Sequence, residues 1–396
     1  MVKRILFVDD EPQVLESMRQ LLERTEYECL LAENSDNALA LLAENPVGMI
    51  ICDMSMPGMN GRQLLRRIKD LYPGTLRVLL TGYTEEHENL NALREGTANL
   101  CIFKPWDNEQ MLSVIQRLFD TLDKMMSRNV LSSVSRVSSL PSVSGVYSRV
   151  CAIINEEGDM DKVVAAIAAD QSIAAKVLQV INSSFYSVKT GSLKQAAVFL
   201  GYINIRSIVL ATNLLSFSDN SPVQDKLLYR LWQHSGLANQ ILQTLYVEVF
   251  QKKPPEIAAT AGLLHDIGRV FLLMNQGESY REMIQAKRLW GRSSLCDAER
   301  EAYYVSHDEV GGYLLNWWGF PYALVEAAVY HHHPLDSRVI HREIVCMTHL
   351  AHVYSWSVLT AGAKEVQQEF DSDVFSFLGV SKDFCDRVVE RSRLQY

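Results

Sequence analysis

Short apolar runs punctuate the first 120 positions: Ile5-Leu6-Phe7-Val8, Cys29-Leu30-Leu31-Ala32, Met49-Ile50-Ile51-Cys52, Arg77-Val78-Leu79-Leu80 and Leu100-Cys101-Ile102-Phe103. Runs that are apolar without alternation suit strands buried on both faces. Charged amphipathic stretches at 12–24, 63–71, 86–95 and 108–122 separate them and read as helices. Five strands alternating with helices predict an α/β domain, a doubly wound parallel sheet covered on both sides. Beyond residue 150 the pattern changes to helical spacing, as at Val163, Ile167, Ile173, Val177, Leu178 and Ile181. Segments 160–183, 193–217, 226–250, 256–275, 297–317, 321–332 and 343–361 are expected to be helices. Breaks fall at Gly191, Asn220-Ser221-Pro222, Pro254-Pro255, Gly319-Phe320-Pro321 and Pro334. The second part is therefore all-α.

Residues 127–148 hold nine serines with Pro141 and Gly145, the composition of a linker or hinge. Met125, Val130, Val134 and Val137 keep a loose helical spacing, so part of it is read as helix. At roughly 150 residues per domain, 396 residues make two or three domains. The expected division is 1–122, a partly helical linker 123–139, and 140–396.

The net charge is −9, and residues 1–120 carry −7 of it (12 basic, 19 acidic). That balance argues against nucleic-acid binding, which needs a basic surface. No run of 18 uncharged apolar residues occurs, so no membrane span is expected. Seven scattered cysteines without a CxxC pair predict reduced thiols and a cytoplasmic chain.

Chemistry gathers at strand ends. Asp9-Asp10 follows the first strand, Asp53 the third, Thr81 the fourth and Lys104-Pro105 the fifth. In an open parallel sheet the strand C-termini form the ligand edge. Three carboxylates there need a cation, and an all-oxygen set suits Mg²⁺. A carboxylate beside a metal and a lysine can accept a phosphoryl group as an acyl phosphate.

These residues, with Met56-Pro57-Gly58-Met59-Asn60-Gly61, resemble the receiver domain of bacterial response regulators, from Val2 to about Leu122. The resemblance implies that Asp53 is phosphorylated by a sensor histidine kinase. It implies that Asp10 ligates Mg²⁺, supported by Asp9 and the Ser55 carbonyl, and that Thr81 and Lys104 hold the phosphoryl group. Receivers often carry Tyr or Phe three residues before the lysine as a rotamer switch. Here Cys101 stands in that place. Receivers commonly dimerise, so a homodimer is compatible with this resemblance.

Nine of the ten histidines lie beyond residue 230. His234, His265-Asp266, His307, His331-His332 and His352 fall on several expected helices, where imidazoles and a carboxylate can hold one or two metal ions in a bundle core. Neighbouring His265 and Asp266 on one helix would point about 100° apart. His333, His341 and His349 read as ordinary core or surface groups.

Residues of about 132–350 resemble the HDOD family, through Leu140-Pro141, Asp170 to Leu178, Ile181 to Tyr186, Ala196 to Gly201, Trp232 to Ser235, Gly262 to Gly268, Ser306 to Gly311 and Trp318 to Pro321. The resemblance implies a helical regulatory domain of bacterial signalling. HD-GYP cyclic-di-GMP phosphodiesterases are more distantly similar. They use a histidine, then His-Asp, then a later aspartate. His234, His265 and Asp266 fill the first positions, and His307, His331 and His332 fall where those enzymes have ligands. His352, in Ala351-His352-Val353-Tyr354, replaces the later aspartate, Arg230 replaces an acid one turn before His234, and the Gly-Tyr-Pro signature is missing.

An imidazole gives one nitrogen to one ion, whereas a carboxylate can bridge two, and Arg230 adds repulsion. A two-metal centre is weakened, while one Zn²⁺, Mn²⁺ or Fe²⁺ at His234, His265, Asp266 and His352 is retained. The expected function is a response regulator whose output binds a protein or nucleotide partner without turnover. The alternative is a metal-dependent phosphohydrolase, such as a cyclic-di-GMP phosphodiesterase.

Overall fold

The computed structural model describes residues 3–82, 92–93, 96–125, 130, 145–155, 160–169, 173–174, 177, 192–215, 222–287, 294–360 and 370–393. The chain divides into two compact units, Met1–Met126 with Tyr313–Tyr322, and Ser127–Gly312 with Ala323–Tyr396.

In the N-terminal 125 residues the strands are β1 (Arg4–Val8), β2 (Glu28–Ala32), β3 (Met49–Asp53), β4 (Leu76–Gly82) and β5 (Leu100–Lys104). All pair in parallel, in the order β2-β1-β3-β4-β5. The order reverses between β1 and β3, which opens a crevice at their C-terminal ends. The apolar runs are what make these strands central. Ile5 to Val8, Met49 to Cys52 and Val78 to Leu80 are all at most 1% exposed, because helices cover both faces.

The covering helices are α1 (Pro12–Leu22), α2 (Ser35–Glu44), α3 (Gly61–Leu71) and α4 (Asn108–Met125). Helix α3 starts at a capping box: Asn60 Oδ1 accepts the Gln63 N–H at 2.9 Å and Gln63 Oε1 accepts the Asn60 N–H at 3.2 Å. The helix expected at 86–95 lies almost wholly outside the described residues, as does most of the linker 123–139.

From Gly145 onward every described element is helical: α5 (Gly145–Asn155), α6 (Met160–Ala168), α7 (Leu193–Leu215), α8 (Pro222–Phe250), a 3₁₀ turn (Glu256–Ala258), α9 (Ala261–Leu264), α10 (Ile267–Gln276), α11 (Glu278–Lys287), α12 (Ser294–Tyr303), α13 (His307–Trp317), α14 (Tyr322–Tyr330), α15 (Arg342–Leu359), α16 (Ser372–Leu378) and α17 (Lys382–Arg393). Helix α15 is buried continuously from Ile344 to Trp356 and packs along α8. The motif stretch Ile181 to Tyr186 lies outside the described residues.

Three expected helices are interrupted instead. The expected 193–217 helix kinks within α7 at Gly201, with φ 75° and ψ 171°. Segment 256–275 is interrupted at His265-Asp266, where Asp266 has φ −97° and ψ 15°. The Asp266 carbonyl there takes the Arg269 N–H at 2.9 Å, a tight three-residue turn. The pair is thus a junction between α9 and α10, not two residues of one helix. Segment 297–317 is interrupted at Tyr304, with φ 64°. Glu299 accepts the His307 N–H at 2.8 Å and Glu309 accepts the Ser306 N–H at 3.2 Å. These carboxylates cap a fresh helix start, which periodicity alone does not reveal. Helices α5, α11, α16 and α17 were not expected; they are short, and α11 and α17 are largely charged. The stretch Glu256–Gln276 is apolar enough to cross a membrane by composition, but it is broken at its middle and mostly buried.

Candidate functional site

The crevice at the end of β1 and β3 collects the residues expected there. Asp9 and Asp53 are buried, Asp10 is exposed and Thr81 is buried at the end of β4. Lys104, ending β5, reaches across with its ammonium 3.2 Å from Asp9 Oδ2 and ion-paired to Asp53. The Ser55 N–H donates to Asp53 Oδ2 at 2.9 Å, and the Glu11 N–H donates to Asp9 Oδ1 at 2.9 Å. The Thr81 hydroxyl donates to the Gly82 carbonyl at 3.3 Å. Cys101 lies half-buried in β5.

Burial raises the Asp9 carboxyl above its ordinary value, although Glu11 and Lys104 oppose it. Burial works against the Lys104 charge, but the hydrogen bond and ion pair with Asp53, then Asp9, outweigh it and raise its pKa. The donor set is all oxygen, which fits a hard cation such as Mg²⁺. Position 61 must be glycine: a Cβ there would lie 1.9 Å from the Asp53 carbonyl oxygen. Helix α3 therefore comes close enough to β3 to fix the Asp53 backbone.

The second constellation assembles in the helical core. His234 comes from α8, His265-Asp266 from the α9–α10 junction, His307 from α13, His331-His332 from just past α14, and His352 from α15. All seven are at most 9% exposed. Asp266 is the hub. Its Oδ2 lies 3.2 Å from His234 Nε2 and 3.9 Å from His352 Nδ1. Its Oδ1 lies 3.4 Å from His331 Nε2, 3.5 Å from His307 Nε2 and 3.8 Å from His265 Nε2. His265 Nε2 is 3.1 Å from His234 Nε2 and 2.9 Å from His352 Nδ1, and His307 Nε2 is 3.0 Å from His332 Nε2.

Four imidazoles have the ring nitrogen that faces away from the centre tied down. Nδ1 of His265 bonds the Gly262 carbonyl at 2.9 Å, and that of His331 the Ala328 carbonyl at 2.9 Å. Nδ1 of His307 bonds Glu299 Oε2 at 2.7 Å, and that of His234 the Ser355 hydroxyl at 2.7 Å. These bonds fix the orientation of the four rings and present Nε2 inward, as the outer partners of metal-ligating histidines do. Burial lowers His234 to about 4 and holds His265, His332 and His352 well below their ordinary value, so they are neutral, the form that binds metal. Burial opposes charge on His307 too, but the Glu299 pair outweighs it and raises that group.

Asp266 Oδ1 and His331 Nε2 are buried without a hydrogen-bond partner. With its Nδ1–H given to the Ala328 carbonyl, a neutral His331 would turn an Nε2 lone pair toward Asp266 Oδ1 at 3.4 Å, where a cation would satisfy both atoms. Ligands about 2.0–2.1 Å from one ion stand roughly 3 Å apart, as these donors do. The set therefore fits a divalent metal.

Three members were not foreseen. Arg269, fully buried, donates to Asp266 Oδ2 at 3.1 Å and lies 5.0 Å from the Trp356 ring centroid. It stands three residues past Asp266, a spacing that places both on one helical face. Glu299 also accepts from Tyr280 Oη at 2.5 Å, and nothing in the acidic stretch Asp297, Glu299, Glu301 singled it out. Ser355, behind His234, left no signal. Arg230 donates to the Leu359 carbonyl at 3.5 Å, and Arg269 is a cation in direct contact with Asp266. Of the histidines read as ordinary, His341 pairs with buried Glu326 at 2.7 Å and His349 bridges the His331 carbonyl to the Asp371 N–H.

Gly268 belongs to this geometry. A Cβ there would stand 1.9 Å from the His307 carbonyl oxygen, so only glycine lets α10 approach α13 closely enough to share Asp266 with His307.

The model of the response regulator receiver domain matches residues 5–116, and that of the HDOD domain matches residues 140–334. The chain is a response regulator with an HDOD output domain. This response regulator is 30% identical over 113 residues to the hydrogenase transcriptional regulatory protein HoxA of Cupriavidus necator, covering 28% of this chain and 23% of that one. It is 32% identical over 138 residues to the two-component response regulator PprB of Pseudomonas aeruginosa, covering 33% and 50%. The chain thus spans between about a quarter and a half of these relatives. Its structure is similar to that of an HDOD domain protein of unknown function from Geobacter sulfurreducens, with 25% identity, 67% of this chain and 87% of that one covered, and a TM-score of 0.45.

Proposed function

We propose that this response regulator takes a phosphoryl group on Asp53 from a sensor histidine kinase, and that its HDOD domain answers by binding a protein or nucleotide partner. The observation that carries the reading is Lys104 reaching from β5 to both Asp9 and Asp53. An Asp53 carboxylate oxygen attacks phosphorus, the phosphorus–nitrogen bond of the donor breaks, and the imidazole leaves with a proton. Lys104 moves from carboxylate to phosphoryl oxygen, and the Thr81 hydroxyl turns from the Gly82 carbonyl to another. Asp9, Asp10, Asp53 and the Ser55 carbonyl would hold Mg²⁺, which would supply charge neutralisation for the phosphoryl oxygens. The change passes to residues 140–396 through the segment around 121–145.

Acetyl phosphate with Mg²⁺ tests this. It is expected to label the protein once, and Asp53→Ala is expected to abolish the label; labelling that survives the substitution overturns the reading.

A second reading, a metal-dependent phosphohydrolase acting on cyclic-di-GMP or a related nucleotide, is favoured by the seven converging ligand-type side chains. Their burial weighs against it, because a catalytic metal keeps an open position. Protein supplied with Mn²⁺ or Fe²⁺ that linearises the cyclic substrate would establish the second reading over partner binding alone.

A further inference from the structure

Asp266 faces two demands that one carboxylate does not satisfy together. Arg269 is fully buried, and its Nε and Nη2 have no hydrogen-bond partner. Its direct ion pair is with Asp266, through Nη1 to Oδ2 at 3.1 Å, and its guanidinium carbon lies 5.0 Å from the Trp356 ring centroid. A buried guanidinium held this way stays charged and does not reach solvent. Were Oδ2 given to a divalent ion, the arginine would be left buried beside a second cation with its counter-charge gone. Oδ1 has no such claim upon it. It faces His331 and His307 at 3.4 and 3.5 Å and lacks a donor.

We propose that Arg269 is a resident cation of this cluster, standing in for one of two divalent ions, so that the centre takes a single ion on the Oδ1 side. His234 and His352 stand nearest Oδ2, within reach of that fixed charge, whereas His265, His307 and His331 stand nearest Oδ1. The inference rests on reading the cluster as a metal-type ligand set and is independent of phosphorylation at Asp53.

The test is the Zn²⁺ stoichiometry of the full-length, untagged chain after equilibrium dialysis against Zn²⁺ with excess Mg²⁺ to fill the receiver site, read by elemental analysis. Wild type is expected to hold one ion. Arg269→Met is expected to hold one more, and Arg269→Lys, which keeps the charge, to match wild type. An unchanged count in Arg269→Met, two ions in wild type, or a gain in Arg269→Lys equal to that of Arg269→Met each overturns the proposal. Should Arg269→Met lose its helical circular dichroism without metal, added Zn²⁺ is expected to restore a cooperative melt, and failure to do so overturns the proposal as well. Acetyl phosphate labelling of the same preparations separates the two readings. Normal labelling with an unchanged ion count sinks the role of Arg269 alone, and absent labelling with a gained ion sinks the phosphorylation reading alone.

Discussion

Gly61→Ala offers a direct measure of how tightly Asp53 is placed. Gly61 opens α3, and its N–H donates to the Met54 carbonyl at 3.0 Å. An added Cβ would lie 1.9 Å from the Asp53 carbonyl oxygen, 2.9 Å from its carbonyl carbon and 3.1 Å from Cys52 Sγ, whereas real Cβ atoms essentially never come within 3.0 Å. The oxygen contact is about 1.1 Å too short, and main chain cannot rotate aside as a side chain does. The start of α3 and the end of β3 must part by about that distance, at an overpacking cost of ~1–3 kcal/mol. A displacement of about 1 Å between reacting groups can slow a positioned reaction about 100-fold. The initial rate of labelling by acetyl phosphate with Mg²⁺ is the assay, with a thermal melt alongside to show that the receiver is folded. Gly61→Ala is expected to melt at lower temperature and to label ~100-fold more slowly. A folded variant labelling within about threefold of wild type would refute the argument that this close approach fixes the acceptor.

Glu299→Gln is expected to destabilise the helical unit by ~3–5 kcal/mol in denaturant unfolding, because it breaks a buried pair with His307 and Tyr280. It is also expected to lower metal affinity about 10–100-fold, since His307 loses the partner that fixes its tautomer. Unchanged unfolding and unchanged Zn²⁺ affinity would dismiss Glu299 as an orienting group. The Lys104 ion pairs make an alkaline prediction. Its folded pKa is raised above 10.5, so its contribution to stability is fully present below 10.5 and lost as pH rises through the folded value. Lys104→Ala is therefore expected to flatten the stability profile of the receiver above pH 10.5, read by denaturant melts, and an identical profile would refute the pairing.

How much of each site was legible depends on where its residues come from. In the receiver every candidate site residue ends a strand or follows one within two positions, and in a parallel sheet all C-terminal strand ends lie on one edge. The apolar runs marked the strands, so Asp9, Asp53, Thr81 and Lys104 were placed on one crevice by periodicity. The helical site is drawn from α8, the α9–α10 junction, α13, the end of α14 and α15, spread across residues 234–352. Residue types flagged its members there, but periodicity carries no information on how separate helices pack. The sequence contained Arg230 and Arg269 alike, each within about one turn of a site residue. Only packing showed the first turned to the Leu359 carbonyl and the second against Asp266.

By itself, then, the amino-acid order determined the alternation of strands and helices, the change to an all-helical second part, and the kinds of ligand atom available in each. Those are local properties, set by spacing and side-chain chemistry. Tertiary structure alone decided which oxygen of Asp266 is taken by Arg269, which nitrogen of each imidazole faces inward, and where the helices of 256–275 and 297–317 break. Such choices are made by contacts between residues far apart in the chain, such as Gly268 against the His307 carbonyl and Glu299 at the start of α13. Their energies exist only once the helices are packed together.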